Sequence, residues 1–122
     1  MIGFVTPDFK AAVRVTLIDE RDLLHETEVF VDTGFNGDLS LPHAVLHDAG
    51  ASFLEETIVQ LADGHSVTFA VYVVLVEWSG TQRRVEAFAT SGDPVLGMRL
   101  LEGSELRIEV KTGGAVTIEP LN

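Results

Sequence analysis

The stretch Val29-Phe30-Val31-Asp32-Thr33-Gly34-Phe35-Asn36-Gly37 joins an apolar, β-prone run to a turn. Val29 to Val31 favour an extended backbone, and the glycines that follow bend the chain where a side chain would resist. Asp32 therefore stands at a strand-to-loop junction, where a rigid element can hold a reactive group at the surface. One carboxylate at such a junction either caps the turn or performs chemistry. The surrounding chain has to distinguish the two.

The chain has 122 residues, of which 46% are hydrophobic, enough for one core and not for two. We read a single domain over 1–122. No apolar run approaches the roughly 20 residues of a membrane-spanning helix. The start, Met1-Ile2-Gly3-Phe4-Val5, lacks the basic, apolar and small-residue segments of a secretory signal, so a cytoplasmic location is expected. With no cysteine there is no disulfide framework, thiolate metal site or cysteine nucleophile. Nineteen acidic against eight basic residues give a net charge of -11, which repels nucleic acids and anionic membranes. Because the carboxylates are scattered, they read as a solvated surface.

Around the opening stretch the pattern is β. Ala11 to Ile18 alternates, with Val13, Val15 and Leu17 on one face, and Asp19-Glu20-Arg21-Asp22 breaks it before Leu23 to Val31. Leu39-Ser40-Leu41 resumes a strand; Pro42 then suits the first position of a short helix through Ala44 to Ala49, closed by Gly50. His43 and His47 lie four apart on that helix and could share a metal from one face. Without a third ligand at suitable spacing they read as two exposed polar residues, and no metal site is expected.

Glu56 to Ala62 and Ser66 to Val76 flank Asp63-Gly64, a strong hairpin-turn pair. The far end of the second arm is apolar on both faces and is expected to be buried on both. An exposed glycine-tipped hairpin reads as surface decoration or as a flap. Gln82 to Ala89 forms the next strand, with Val85, Ala87 and Ala89 inward, and Ser91-Gly92-Asp93-Pro94 ends it before Val95-Leu96-Gly97. Met98 to Glu102 suits a helical turn stopped by Gly103. A final hairpin follows, with Leu106, Ile108 and Val110 expected to face the core, Thr112-Gly113-Gly114 to turn, and Val116 to Ile118 to return. His25 and His65 are expected at the surface.

The Val31-Asp32-Thr33-Gly34 segment, the later glycine-tipped hairpin and Val95-Leu96-Gly97, in this order, resemble retropepsin-like aspartic proteases of the small single-domain prokaryotic type. The resemblance covers nearly the whole chain and implies an all-β fold: a closed barrel with one or two short helices that is half of a two-fold dimer. It implies Asp32 as the catalytic carboxylate, Gly34 as the residue that lets its backbone reach the site, and Thr33 as a hydrogen-bonding link across the two-fold axis. Phe35, the flap tip Ala62, Asp63, Gly64 and His65, and Val95, Leu96 and Gly97 would border the substrate. The terminal strands, Ile2 to Val5 and Val116 to Ile118, would be dimer strands. One departure stands out: two-domain relatives carry Ser or Thr after Asp-Thr-Gly, and Phe35 has no hydroxyl to support the carboxylate.

Acid proteolysis without metal or covalent intermediate requires water activated between two carboxylates. The chain carries one such motif and no internal repeat, so the pair implies a homodimer. The expected partners are therefore a second copy and a peptide or protein substrate, with no cofactor, nucleic acid or membrane. Two other readings remain open: a non-catalytic dimeric β-rich module that binds peptides or a partner, and a monomeric β-barrel in which Asp32 only caps a turn.

Overall fold

A computed structural model describes all 122 residues. Ten strands and two short helices follow in the order β1 (Ile2–Val5), β2 (Ala11–Ile18), β3 (Leu24–Val31), β4 (Leu39–Pro42), α1 (His43–Asp48), β5 (Ser52–Gln60), β6 (Ser66–Trp78), β7 (Thr81–Thr90), β8 (Val95–Leu96), α2 (Met98–Leu101), β9 (Ser104–Ile108) and β10 (Ala115–Pro120). The fold is thus mainly β. No helix is long and apolar enough to cross a membrane.

The sheet order is β5-β6-β7-β4-β8-β3-β2-β1-β10-β9, and an additional β6–β2 pairing closes its central six strands into a barrel. The length of β6 makes closure possible. Its first part pairs with β5, from Ser66 opposite Gln60 to Val73 opposite Ser52. Its last turns away to pair Leu75, Val76 and Glu77 with Ile18, Leu17 and Thr16 of β2. The side chains at that end alternate: Val74, Val76 and Trp78 are buried, whereas Val73 and Leu75 are half-buried and Glu77 is exposed. The expected two-sided burial is therefore one-sided, because only the barrel interior covers it.

The core is built from one face of each barrel strand: Val13, Val15 and Leu17 of β2, Val29 of β3, Leu39 and Leu41 of β4, Val85, Ala87 and Ala89 of β7, and Leu96 of β8. Leu46 of α1 and Leu100 and Leu101 of α2 close its openings. Pro42 departs slightly from expectation, ending β4 and standing at the N-cap of α1, one residue before the first helical position. Its φ of -59° with ψ of 148° is extended backbone, so the ring adapts the strand end to the helix start.

Two expectations about the ends of the chain are corrected. Val110 is 76% exposed and lies beyond β9, because the β9–β10 ladder stops at Ile108 opposite Val116. Nor are the terminal strands free edges. β1 pairs with β10 through Ile2–Thr117, Gly3–Val116 and Phe4–Ala115, and is flanked on its other side by β2. With β9 covering the far side of β10, the unpaired edges of the sheet are β5 and β9. The backbone groups that would join the termini to another copy are already used within the chain.

The polar break after β2 contains the chain's buried carboxylate, Asp19, 5% exposed. Its Oδ1 accepts the backbone N–H groups of Arg21 and Leu23 at 2.8 and 2.9 Å, and its Oδ2 lies 2.8 Å from Nε2 of His25. His25 is consequently half-buried in a hydrogen bond to Asp19 and is not a free surface residue. The His25 bond, aided by the two N–H groups, lowers the Asp19 pKa to about 2. A depressed folded-state pKa means that stabilisation is present above the ordinary carboxylate range, near 4, and is lost as pH falls through about 2. Urea denaturation from pH 6 to pH 2 should therefore show Asp19→Asn less stable than wild type at pH 6, with the two converging near pH 2. A pH-independent gap would assign the effect to packing alone.

Candidate active site

The Asp32 loop is held by the shortest strand. β8 lies between β3 and β4, parallel to the first through Phe30–Val95 and Val31–Leu96 and antiparallel to the second through Leu39–Leu96 and Ser40–Val95. The chain leaves β3 at Asp32 and re-enters the sheet at β4, so both feet of the loop rest on β8. The Asp32 N–H donates to the Leu96 carbonyl at 2.9 Å, and the Gly97 N–H donates to the Asp38 carbonyl at 3.0 Å. From α2, the Met98 N–H reaches the Phe35 carbonyl at 2.8 Å and the Arg99 N–H reaches the Gly37 carbonyl at 3.2 Å. Four backbone hydrogen bonds thus tie residues 32–38 to the segment that begins at Val95.

Within the loop, the Gly34 N–H donates to Asp32 Oδ1 at 2.9 Å and the Phe35 N–H donates to the Asp32 carbonyl at 3.1 Å. One carboxylate oxygen is therefore oriented by the backbone. Asp32, Thr33 and Gly34 are all exposed at the tip. Asp38, absent from the expected site, accepts the Glu86 N–H at 3.1 Å through Oδ2 and fastens the loop exit to β7. Its position just before a short apolar strand gave only a generic turn signal.

Gly97 and Phe35 explain each other. A Cβ on Gly97 would collide with the Gly37 carbonyl oxygen and stand 2.6 Å from Phe35 Cδ2; one on Gly37 would stand 2.5 Å from Phe35 Cζ. The ring occupies space that both glycines leave open. It also packs against Phe88 of β7 at 5.7 Å between centroids, and Phe88 stacks on Phe69 of β6 at 5.6 Å and 14°. A run of three aromatic rings thus links the Asp32 loop to the middle of the β5–β6 hairpin, where Phe69 faces Thr57. Phe88 and Phe69 lie far apart in sequence, and their alternation signalled only half-buried strand positions.

At the hairpin tip, Ala62, Asp63, Gly64 and His65 are exposed. The Leu61 N–H donates to the His65 carbonyl at 2.7 Å, and Gly64 adopts φ +89°, the left-handed conformation glycine tolerates. Asp63 Oδ1 accepts the His65 N–H at 2.9 Å while Oδ2 pairs with His65 Nδ1 at 3.0 Å. These bonds, the side-chain bond from His65 foremost, hold the Asp63 pKa below its ordinary value. The tip is ordered by its own bonds and makes none to the Asp32 loop, so only the aromatic run connects the two. Among the residues expected to border a substrate, Val95 is half-buried, but Leu96 is 0% exposed. Leu96 is a correction: its side chain packs the core beneath the loop, where the barrel interior claims it. His43 and His47 are exposed on α1, and no group of three or more potential ligands is arranged to hold a metal.

This arrangement is similar to that of a solved protein. A crystal structure of a retropepsin-like aspartic protease from Rickettsia conorii superposes with a TM-score of 0.61, covering 100% of this chain and 91% of that one at 17% sequence identity. The fold is therefore retropepsin-like. No protein-family profile matches the chain, and no curated protein sequence matches it.

The clamp makes a direct prediction. Gly97→Ala forces rigid backbone and a packed ring to move, and should destabilise the fold by about 1–3 kcal/mol. Gly92→Ala, whose Cβ would meet nothing nearer than 3.5 Å, should be close to neutral. Hydrogen exchange should show faster exchange of the Asp32 and Met98 amides in Gly97→Ala. Equal protection of these amides in the two variants would refute the clamp.

Proposed function

We propose that the chain is a homodimeric aspartic endopeptidase in which Asp32 of each copy supplies half of a catalytic pair. The observation that carries this reading is an exposed carboxylate held by the Gly34 N–H at 2.9 Å, on a loop anchored to β8, in a retropepsin-like fold. Such anchoring suits general acid–base work, in which geometry precedes proton affinity.

The chemistry follows from a single motif per chain. Two carboxylates brought together cannot both ionise, so they share a proton and titrate as a unit. The ionised member takes a proton from the bound water, and the resulting hydroxide attacks the peptide carbonyl carbon. The protonated member donates to the carbonyl oxygen, giving a tetrahedral diol. Proton transfer to the amide nitrogen then lets the C–N bond break, and the pair regains its starting protonation. Phe35 contributes no hydroxyl to this network; its ring instead sets the loop's distance from Gly97 and Phe88.

The β5–β6 hairpin serves as the flap, its exposed tip at Ala62 to His65 closing over an extended substrate. The aromatic run from Phe69 through Phe88 to Phe35 supports this role by coupling the middle of the hairpin to the catalytic loop. Thr33, exposed and beside Asp32, would hydrogen-bond across the two-fold axis. Phe35, Val95 and Gly97 surround the cleft floor.

An unstructured protein substrate incubated from acidic to neutral pH should be cut by wild type, and Asp32→Asn should reduce the rate by at least about 10²-fold, the low end for removing an acid–base group. Equal cutting by the two, or none by either, would refute the assignment. Binding of unmodified peptides without cleavage at any pH would instead favour a non-catalytic peptide-binding module. Thr33→Ala should raise the dimer dissociation constant while leaving the melting temperature of the isolated subunit unchanged. An unaltered dilution profile in sedimentation would exclude the cross-axis bond.

A further inference from the structure

One apolar surface beside the Asp32 loop has no covering element. It is an open groove of about 270 Å³ in which Phe9, Phe30, Val31, Ile108 and Val110 are prominent and Lys10 is the single charged group. Phe9 is 67% exposed and Val110 is 76% exposed. Lys10 folds inward, with Nζ 4.9 Å from the centroid of the Phe30 ring and 2.8 Å from Asp93 Oδ2. At Phe9 the backbone adopts φ +62°, a conformation in which a bulky residue is strained. A strained backbone that presents an aromatic ring to water indicates a surface with another use.

The proposed function requires two Asp32 side chains within hydrogen-bonding reach, about 3 Å. Phe30 and Val31, which line the groove, directly precede Asp32 in the chain. A two-fold axis that joins the Asp32 pair therefore brings the flanks of both loops together. The termini cannot supply the contact by strand addition, since β1 and β10 are already paired within the chain. Each copy carries -11, and no carboxylate lines the groove itself, while its one cation, Lys10, is flanked by Asp93 at 2.8 Å and Asp8 at 3.6 Å.

We propose that this groove is the dimer contact of the enzyme and that its occupant is a second copy of the chain, with Phe9 and Val110 of each copy packing into the groove of the other across the Asp32 axis. The inference rests on the homodimeric protease reading and supplies its interface. The arrangement is isologous: each copy offers both the projecting side chains and the groove that receives them.

Sedimentation equilibrium of the full chain tests this with Phe9→Asn, Val110→Glu and, as a control, Leu24→Glu, at a residue 63% exposed at the far end of β3. Asn accepts the left-handed backbone more readily than Phe, so Phe9→Asn should keep or raise the subunit's melting temperature. Phe9→Asn and Val110→Glu should each raise the dimer dissociation constant by at least roughly tenfold, and the control should leave it unchanged. A wild-type chain that stays monomeric at all soluble concentrations overturns the inference, as does a dimer indifferent to both groove variants. The protease reading fails separately. A groove-dependent dimer whose peptide cleavage ignores Asp32→Asn would keep this interface and refute the proposed activity.

Discussion

The structure depends on one constraint: a two-residue strand must fit between β3 and β4 while the chain passes from it into α2. Val95 and Leu96 satisfy both neighbours, and Gly97 then passes so close to Gly37 that no side chain is tolerated. The hydrogen bonds from Asp32 to Leu96 and from Gly97 to Asp38 fasten both feet of the loop. Because these groups are backbone, they orient the loop independently of which side chains it displays. Asp32 can be exposed and still be held.

The aromatic residues extend this constraint outward. Phe35 fills the volume left by two glycines and passes contact to Phe88 and Phe69, so the loop and the hairpin share one packed surface. Dense packing transmits displacement, since a ring cannot move without displacing its neighbours. That is a physical route by which hairpin position and loop geometry affect one another. Phe35, which has no hydroxyl to offer Asp32, thus has a mechanical role in this chain.

At the opposite side of the sheet, cis pairing of β1 and β10 changes what the surface can do. Strand addition through the termini is closed, while the β5 and β9 edges remain free. The apolar face beside Asp32 stays uncovered within the chain, with Phe9 projecting from it. The terminal strands thus have their backbones paired within the chain, while the apolar face beside Asp32 is left without a covering element.

Much was legible from local patterns. Alternation identified the inward residues of β2 and β7, Asp63-Gly64 located a turn, and the Asp-Thr-Gly loop and Val95-Leu96-Gly97 were recognised as belonging together. These are short-range properties, set by side-chain direction and by the backbone freedom of a few residues. Tertiary structure alone decided that Leu96 faces the core, that Val110 falls past the end of its ladder, that His25 pairs with Asp19, and that Phe35, Phe69 and Phe88 meet. The same holds for the pairing of Ile2 with Thr117, because two ends of a chain carry equivalent strand signals whether they bond to each other or to a second molecule. Alternation says which residues seek cover, but register and closure determine what provides it.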